Sequence, residues 1–559
     1  MVVQRPDAIA LSWQQGELSY RELNERADRW AAVLAGQGAG PEIPVAVLML
    51  RSPELIVAIL AIVKSGSYYV PLPAGCPNQR LQAIIEQLDR PLLVLDQAML
   101  DQAMLDRGLP TGCRPVPVAD LAAGGLPSRP GPGADPEQLA YLRFAVGSGK
   151  LAGVAVTHRN VLGLVADRRW AGAGYARTLM VAPDAFDMSS FELWMPLVTG
   201  RTIVLPPPGE VEVGTLTEVI ARHQVSCVRL TQAQFQQVSE QAPAALLALR
   251  KVILTGAGVG TGDAIARVLA VCPGLVVLAT YDATGTDLFS TCAQLTAPYR
   301  PGRAVPAGRA LTNQRSYLLD ELLRPAPEGE LYLGGAGVAR GYLRRPGLTA
   351  ERLVPDPFVG GGARMYRTGV LARWAADGQL NLIGRAADQV RIRGFRVEPA
   401  EVESVLAGHP NVAHVSVAAR DCEAGGKQLI AHLVPRPAGL DVAEVRRYAE
   451  ARLPDYLVPA AFAIRLTAHR AGRSACVLRI GGSMNPFDDV AGEFAVVSNH
   501  EGQHCLWPAL LPVPAGWTAR FGPASRPSCL DYLAAEWTDL RPASLQSRLA
   551  IASTTAGAA

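Results

Sequence analysis

The chain has 559 residues, 49% apolar and 18% charged, and its 53 Lys+Arg against 50 Asp+Glu leave a net charge of +3. At roughly 150 residues per domain this makes three to four units, and the near-neutral balance excludes a strong field for nucleic acid or a membrane surface. No apolar run reaches the roughly 20 residues of a membrane span, and nine single cysteines without a C-x-x-C pair argue against a disulfide framework or a zinc site.

The opening MVVQRPDAIALSWQQ lacks a basic start followed by an apolar core, so no signal peptide is expected and the compartment reads as reducing cytoplasm. YRELNERADRWAAVLAGQG (20–38) has helical spacing. IPVAVLMLRSPELIVAILAIVKSG (43–66), broken by Arg51, Glu54 and Lys64, reads as a buried strand followed by a buried helix. DQAML occurs twice (96–100 and 101–105) and is a local duplication in a solvent-facing helix or loop; 113–136, dense in Pro and Gly, is a surface loop. Up to about residue 300, runs such as TLMVAP, CVRLT, KVILTG and LVVLAT alternate with amphipathic helices, the pattern of a layered α/β domain with largely parallel strands. Short strands and turns follow to 386. Residues 387–470 then read strand, helix, strand, strand, helix, and 484–550, rich in Trp and Pro, has its own hydrophobic pattern. The expected units are therefore 1–386, 387–480 and 484–550, with a frayed end at IASTTAGAA.

LAYLRFAVGSGKLAGVAVTHRNV (139–161) reads as a strand, a turn with Gly147, Ser148, Gly149 and Gly153, then a helix; backbone amides in such turns can cradle phosphate oxygens, and a purely structural turn is the alternative. AFDMSSFELWMPLVTG, TYDATGTDLF, GELYLGGAGVARGYL, MYRTGVLARW and GRAADQVRIRGFRVEPAEVE follow in order. Together they resemble the adenylation domains of nonribosomal peptide synthetases, in the adenylate-forming (AMP-binding) superfamily, over about residues 5–470. NPFDD, Asn499 to Gln503 as N-x-E-x-Q, LWP, PAGW and WTDLRPASL resemble the MbtH-like proteins, small partners of adenylation domains; Cys505 stands where a serine usually precedes LWP. The resemblance implies an α/β adenylate-forming fold, with a large layered core, a β-rich subdomain and a small α+β C-terminal subdomain, plus a small α+β MbtH-like domain.

The implied reaction joins an amino acid to AMP from ATP with magnesium, then hands the acyl group to a carrier-protein thiol. Attack of a carboxylate on phosphorus brings anions together and needs cations, a metal and oriented donors. Several of these are replaced. The phosphate loop reads A-V-G-S-G-K-L-A-G: its donors are reduced to Ser148, Ala152 holds the lysine position, and Lys150 is out of register. Tyr281 keeps the place implied against adenine, but Gly285 replaces the magnesium-holding glutamate, leaving Asp282 or Asp287 as substitutes in a changed geometry. Val370 replaces the ribose-binding aspartate and accepts no hydrogen bond. The hinge is Gly384-Arg385-Ala386-Ala387-Asp388, with Arg385 counted among the nucleotide-site residues. Arg473 stands in for the catalytic lysine, with its charge but not its compact ammonium. A charge-assisted hydrogen bond lost costs about 1.5–3 kcal/mol. Losing the ribose aspartate and the loop lysine then amounts to about 3–6 kcal/mol, or two to four decades in rate.

The resemblance also assigns an amino-acid pocket. Asp187 takes the position that pairs with the substrate ammonium, and also reads as a cap for the helix SSFELWM. Met188, Phe191, Arg229, Leu254, Gly256, Thr280, Leu288 and Phe289 would line the cavity, with core packing the alternative for the apolar members. Arg229 would either receive an acidic side chain or fill the cavity against Asp187. Trp507 and Trp517 are expected to grip the core near TAERLVPDPF (349–358). His158 and His409 read as structural, and no dedicated metal-ligand set is visible.

The replaced positions put first a non-adenylating or severely impaired binding or scaffold component of secondary-metabolite biosynthesis. The alternative is an active amino-acid ligase loading a carrier in trans; only it needs ATP and magnesium. A third reading makes the core a platform that delivers the MbtH-like domain. Expected partners are an amino-acid ligand, a carrier protein or other synthetase components, and the chain's own MbtH-like domain docked on the core; nucleic acid and membrane are not.

Overall fold

In the computed structural model, residues 1–72, 74, 78–102, 108–124, 134–147, 150–182, 190–256, 261–283, 286, 289–300, 305–385, 390–392, 395–397, 399–421, 427–436, 440–451, 453, 458–464, 485–489 and 491–556 are described. Pro44–Leu48 is a strand buried at every position, and Pro53–Lys64 the buried helix that follows. Ser52 caps that helix by accepting from the Leu55 N–H at 3.1 Å, and Pro53 opens it where no backbone N–H is needed. Arg51, which breaks the apolar run, is 2% exposed and donates to the carbonyls of Val181, Ala182 and Gly209, each at 2.8 Å, and to that of Pro207. Burial lowers its pKa to about 10, against the pull of Glu192, so it stays charged at neutral pH.

Two large sheets form the core. Seven strands include a parallel set built on Pro44–Leu48, and nine include the parallel strands Arg177–Leu179, Cys227–Thr231, Lys251–Thr255 and Val276–Tyr281. Alternate residues of both sheets, such as Val45 and Val47 in one and Ile253 and Leu278 in the other, share one apolar cluster with the helices Tyr20–Gly36 and Pro53–Lys64. The opposite face of the nine-stranded sheet packs separately around Val228, Leu230, Val252 and Leu254. This is the layered α/β arrangement implied by the sequence. Glu328–Gly335 and Arg364–Trp374 are central in a five-stranded antiparallel sheet, the β-rich subdomain. The small subdomain packs the helices Pro399–Ala407 and Val442–Glu450 on a three-stranded sheet.

Four local expectations are corrected. The turn after Leu139–Gly147 leads into an antiparallel strand, Lys150–Thr157, before the helix His158–Val165 begins. The stretch 113–136 holds the strand Arg114–Pro117 and the helix Val118–Ala122, because Val116 and Leu121 are buried. QVRIRGFRV is a two-stranded hairpin, and Ala461–Ile464 adds a strand to the small subdomain. The C-terminal end is not frayed from residue 551: a helix spans Ala543–Ala556.

That helix belongs to the fused domain, whose strands Glu493–Ser498, His504–Pro508 and Thr518–Ser525 form an antiparallel sheet beside the helix Arg526–Glu536. Glu501 receives the N–H groups at its start, Ser544 through the carboxylate at 2.9 Å and Ala543 through the carbonyl at 3.0 Å. Further along, Arg548 forms a two-point ion pair with Asp135, Nη2 to Oδ1 at 3.1 Å. Burial raises the Asp135 carboxyl, but hydrogen bonds from Arg548 and the Glu137 N–H outweigh it and hold the pKa below the ordinary carboxylate value. A depressed folded pKa gives stability that is present above the unfolded value of about 3.9 and lost as pH falls through the folded one. The protection of 543–556 against hydrogen exchange, relative to the intrinsic rate at each pH, is therefore expected to fall below about pH 4, and in Arg548→Ala to be low already at pH 7. Exchange unaffected by either change would show that this ion pair does not hold the helix.

Candidate functional site

The phosphate-loop stretch is a hairpin in which Gly147 pairs with Lys150 and position 145 with Ala152. Ala152, at the lysine position, is 6% exposed within the core cluster. Gly153 lies against Phe144, where a Cβ would come within 3.1 Å of the ring, so its role is close packing of the two strands. Ser148 and Gly149 lie outside the described residues, as do Asp187, Met188, Asp287, Leu288 and Arg473. Of Gly147, Lys150 and Arg385 the structure describes the backbone; Arg385 pairs with Val370.

Tyr281 ends the strand Val276–Tyr281, paired with Thr291. Asp282 beside it faces Arg143, Nη1 to Oδ2 at 3.9 Å, and Arg143 Nη2 donates to the Thr286 carbonyl at 3.3 Å. Of the two carboxylates left as substitutes for the glutamate replaced by Gly285, Asp282 already faces a guanidinium and Asp287 lies outside the described residues; among the described residues no cluster of three metal-ligating side chains occurs.

The structure divides the assigned pocket. Phe191 and Phe289 are fully buried with ring centroids 5.7 Å apart and pack with Trp170, 5.0 Å from Phe191. Arg229 donates from Nε to Glu192 Oε2 at 2.7 Å, and Glu192 is 0% exposed and receives the Val181 N–H at 3.1 Å. The charge of Arg229 is thus balanced by the carboxylate of Glu192, the residue that follows Phe191 on the helix Ser190–Thr199 and one the sequence reading passed over. Leu254 pairs with Leu230, the neighbour of Arg229, so parity turns it to the face of the sheet opposite Arg229 and into the other apolar cluster. Thr280 donates to the Leu254 carbonyl at 3.2 Å, and Gly256 has φ +72°. His409 is buried, accepts the Asn411 N–H at 3.2 Å and stands edge-on to Tyr448, a structural role. A separate cavity of about 510 Å³ is lined by Ser12, Trp13, Glu17, Arg177, Arg222 and His223 and includes no motif residue.

The Y-R-T-G-V block does something its sequence did not announce. Arg367, 5% exposed, donates to both oxygens of Glu330, at 2.9 and 3.1 Å, and to Asp488 of the fused domain. Glu330 also receives the Gly369 N–H at 3.0 Å and Asn485 Nδ2 at 2.6 Å, and Asn485 Nδ2 reaches Tyr332 OH at 2.8 Å. The NPFDD segment therefore docks directly on the strands Glu328–Gly335 and Arg364–Trp374. Around it, one apolar cluster joins Leu319, Tyr332, Val354 and Met365 of the core to Phe487, Trp507 and Trp517. Asn499 donates to the Gly362 carbonyl at 2.9 Å, Arg526 pairs with Glu351 at 2.9 Å, and the buried Cys505 thiol, its pKa raised by burial, donates to the Leu353 carbonyl at 2.8 Å.

The chain matches the family described as AMP-binding enzyme over residues 2–343, the AMP-binding enzyme C-terminal domain over 401–473 and the MbtH-like protein over 483–549. It is 35% identical over 467 residues to a dimodular nonribosomal peptide synthase of Bacillus subtilis, which covers 82% of this chain and 19% of that protein. It is 36% identical over 472 residues to novobiocin biosynthesis protein H of Streptomyces niveus, covering 82% and 77% respectively. The chain thus spans a fifth or less of the first multimodular relatives, 19% and 9% of their lengths. Among solved structures, Klebsiella oxytoca NpsA in complex with 3-hydroxyanthranilyl-AMSN superposes with a TM-score of 0.75 at 25% identity, covering 84% of this chain and 94% of that one.

Proposed function

The chain belongs to the AMP-binding enzymes, as a nonribosomal peptide synthetase adenylation domain with a fused MbtH-like domain, and from that premise we propose that it activates an amino acid as the aminoacyl-adenylate. The acyl group then passes to a carrier protein. Identity of about one third to peptide synthases across 82% of the chain carries this reading and supports it better than the binding-component reading that the replaced positions put first. Arg229 held by Glu192 and the aromatic packing of Phe191 and Phe289 support a small, ordered amino-acid site whose side-chain end is already charge-balanced. Units 1–386, 387–480 and 484–550 divide the work into substrate binding, subdomain motion and internal support.

The second reading keeps a specific basis: Ala152, Gly285 and Val370 remove a cation, a carboxylate and an acceptor from the nucleotide site. It makes the chain a non-adenylating component that binds an amino acid, a carrier or another synthetase. Amino-acid-dependent exchange of pyrophosphate into ATP separates the two. Exchange with one or a few amino acids, roughly two to four decades below a relative with intact motifs, is the expected result. No exchange with any amino acid from folded protein would overturn the ligase reading in favour of the second.

A further inference from the structure

A nucleoside triphosphate brings several negative charges into a site where three of the groups that the resemblance assigns to the nucleotide are replaced. Ala152 is packed into the apolar core, Gly285 offers no carboxylate to a metal, and Val370 offers no acceptor. Among the described side chains, Arg143 is a cation beside these positions. Arg143 lies in the strand Leu139–Gly147, whose end turns into the phosphate-loop hairpin, and its side chain is a quarter exposed.

Its guanidinium reaches across to the segment after Tyr281, with Nη1 3.9 Å from Asp282 Oδ2 and Nη2 3.3 Å from the Thr286 carbonyl. The two contacts fall on residues 282 and 286, on either side of position 285 in the sequence. The Thr286 end is fixed: Thr286 is fully buried, its hydroxyl donates to the Ala283 carbonyl at 2.9 Å and lies 2.9 Å from Ser290 Oγ, and its backbone bridges to Val338. A carbonyl held in this way orients the guanidinium before any ligand arrives, and a planar fork of N–H donors matches phosphate oxygens. A divalent metal placed beside the same guanidinium would be repelled by it.

We propose that Arg143 is a built-in cation occupying the role of the divalent metal, so that this chain binds the phosphates of a nucleoside triphosphate through a guanidinium and without magnesium. The proposal rests on the nucleotide-using reading above. Asp282 and the Thr286 carbonyl position Arg143, and Tyr281 lies at the start of the same segment.

The test is calorimetric titration of the full chain with ATP, in magnesium and again in excess EDTA, on the unaltered protein, Arg143→Lys and Arg143→Met, with thermal melting as the check on folding. The unaltered chain is expected to bind ATP equally in both conditions. Arg143→Met is expected to lose roughly 10- to 100-fold in affinity, and Arg143→Lys to keep part of it, having the charge without the fork. Binding that needs magnesium, or Arg143→Met binding as tightly as the unaltered chain, overturns the proposal and leaves the ligase reading standing. ATP binding in neither condition overturns the ligase reading and the proposal with it. The comparison of magnesium with EDTA on the unaltered chain decides the matter even if Arg143→Met does not fold.

Discussion

Glu330→Ala is expected to destabilise the protein by about 3–5 kcal/mol, the range for removing one partner of a buried ion pair. Glu330 is 4% exposed and accepts from Arg367, Asn485 and the Gly369 N–H together. Without it the Arg367 guanidinium, stacked over Phe487 at 5.5 Å, keeps only Asp488 as its counter-charge, and Asn485 keeps only Tyr332 among the contacts described. Arg367 and Asn485 lie on opposite sides of the boundary between core and fused domain, so the loss falls on both. Denaturant unfolding followed by tryptophan fluorescence reads it, with Trp507 and Trp517 at the boundary contributing to the signal of the chain's eight tryptophans. A loss below about 1 kcal/mol, typical of an exposed pair, would mean that this network does not carry the docking.

The second large effect is expected from Gly516→Ala. Gly516 has φ +86°, and a Cβ there would stand 2.4 Å from the Gly362 nitrogen and 3.0 Å from the Gly361 carbonyl carbon, backbone atoms of the core that cannot rotate aside. Alanine in the left-handed region costs about 1–3 kcal/mol, and forcing the two loops apart adds a similar amount, about 1–3 kcal/mol, while breaking the Asn499 bond to Gly362. Gly502→Ala is the control: its φ is +67° and a Cβ there meets nothing within 4 Å, so it carries the backbone strain alone. The melting temperature of Gly516→Ala should fall well below that of Gly502→Ala. Equal losses in the two variants would show that the loops tolerate separation.

The sequence made the elements with strong local patterns legible. The apolar run 43–66 is the strand and helix expected, and the strands KVILTG and LVVLAT lie side by side in a parallel sheet. Features that depend on parity or distant pairing were hidden. The resemblance assigns Leu254 to the pocket, and a strand buried on both faces carries no hydrophobic alternation that would say which of its residues share a side. Glu330 and Arg367 each sit in a motif read for other residues, and their pairing spans 37 positions to one another and 121 to Asp488. The strand Lys150–Thr157 was concealed by its small residues, and the helix Ala543–Ala556 by a weakly patterned sequence whose anchors, Glu501 and Asp135, lie elsewhere in the chain. What surrounds the motif positions is likewise not legible from spacing: the packing of Ala152 into the core cluster and the reach of Arg143 to Asp282 join residues far apart in the chain.

The apolar cluster shared by Tyr332, Met365, Trp507 and Trp517 also changes how dosage acts on this protein. A helper encoded separately must be produced in step with its synthetase, and its occupancy falls on dilution according to mass action. Here helper and core arrive from ribosomes in equal number, and the docking is an intramolecular event set by local effective concentration. Occupancy of the docking face by the fused domain is therefore independent of expression level.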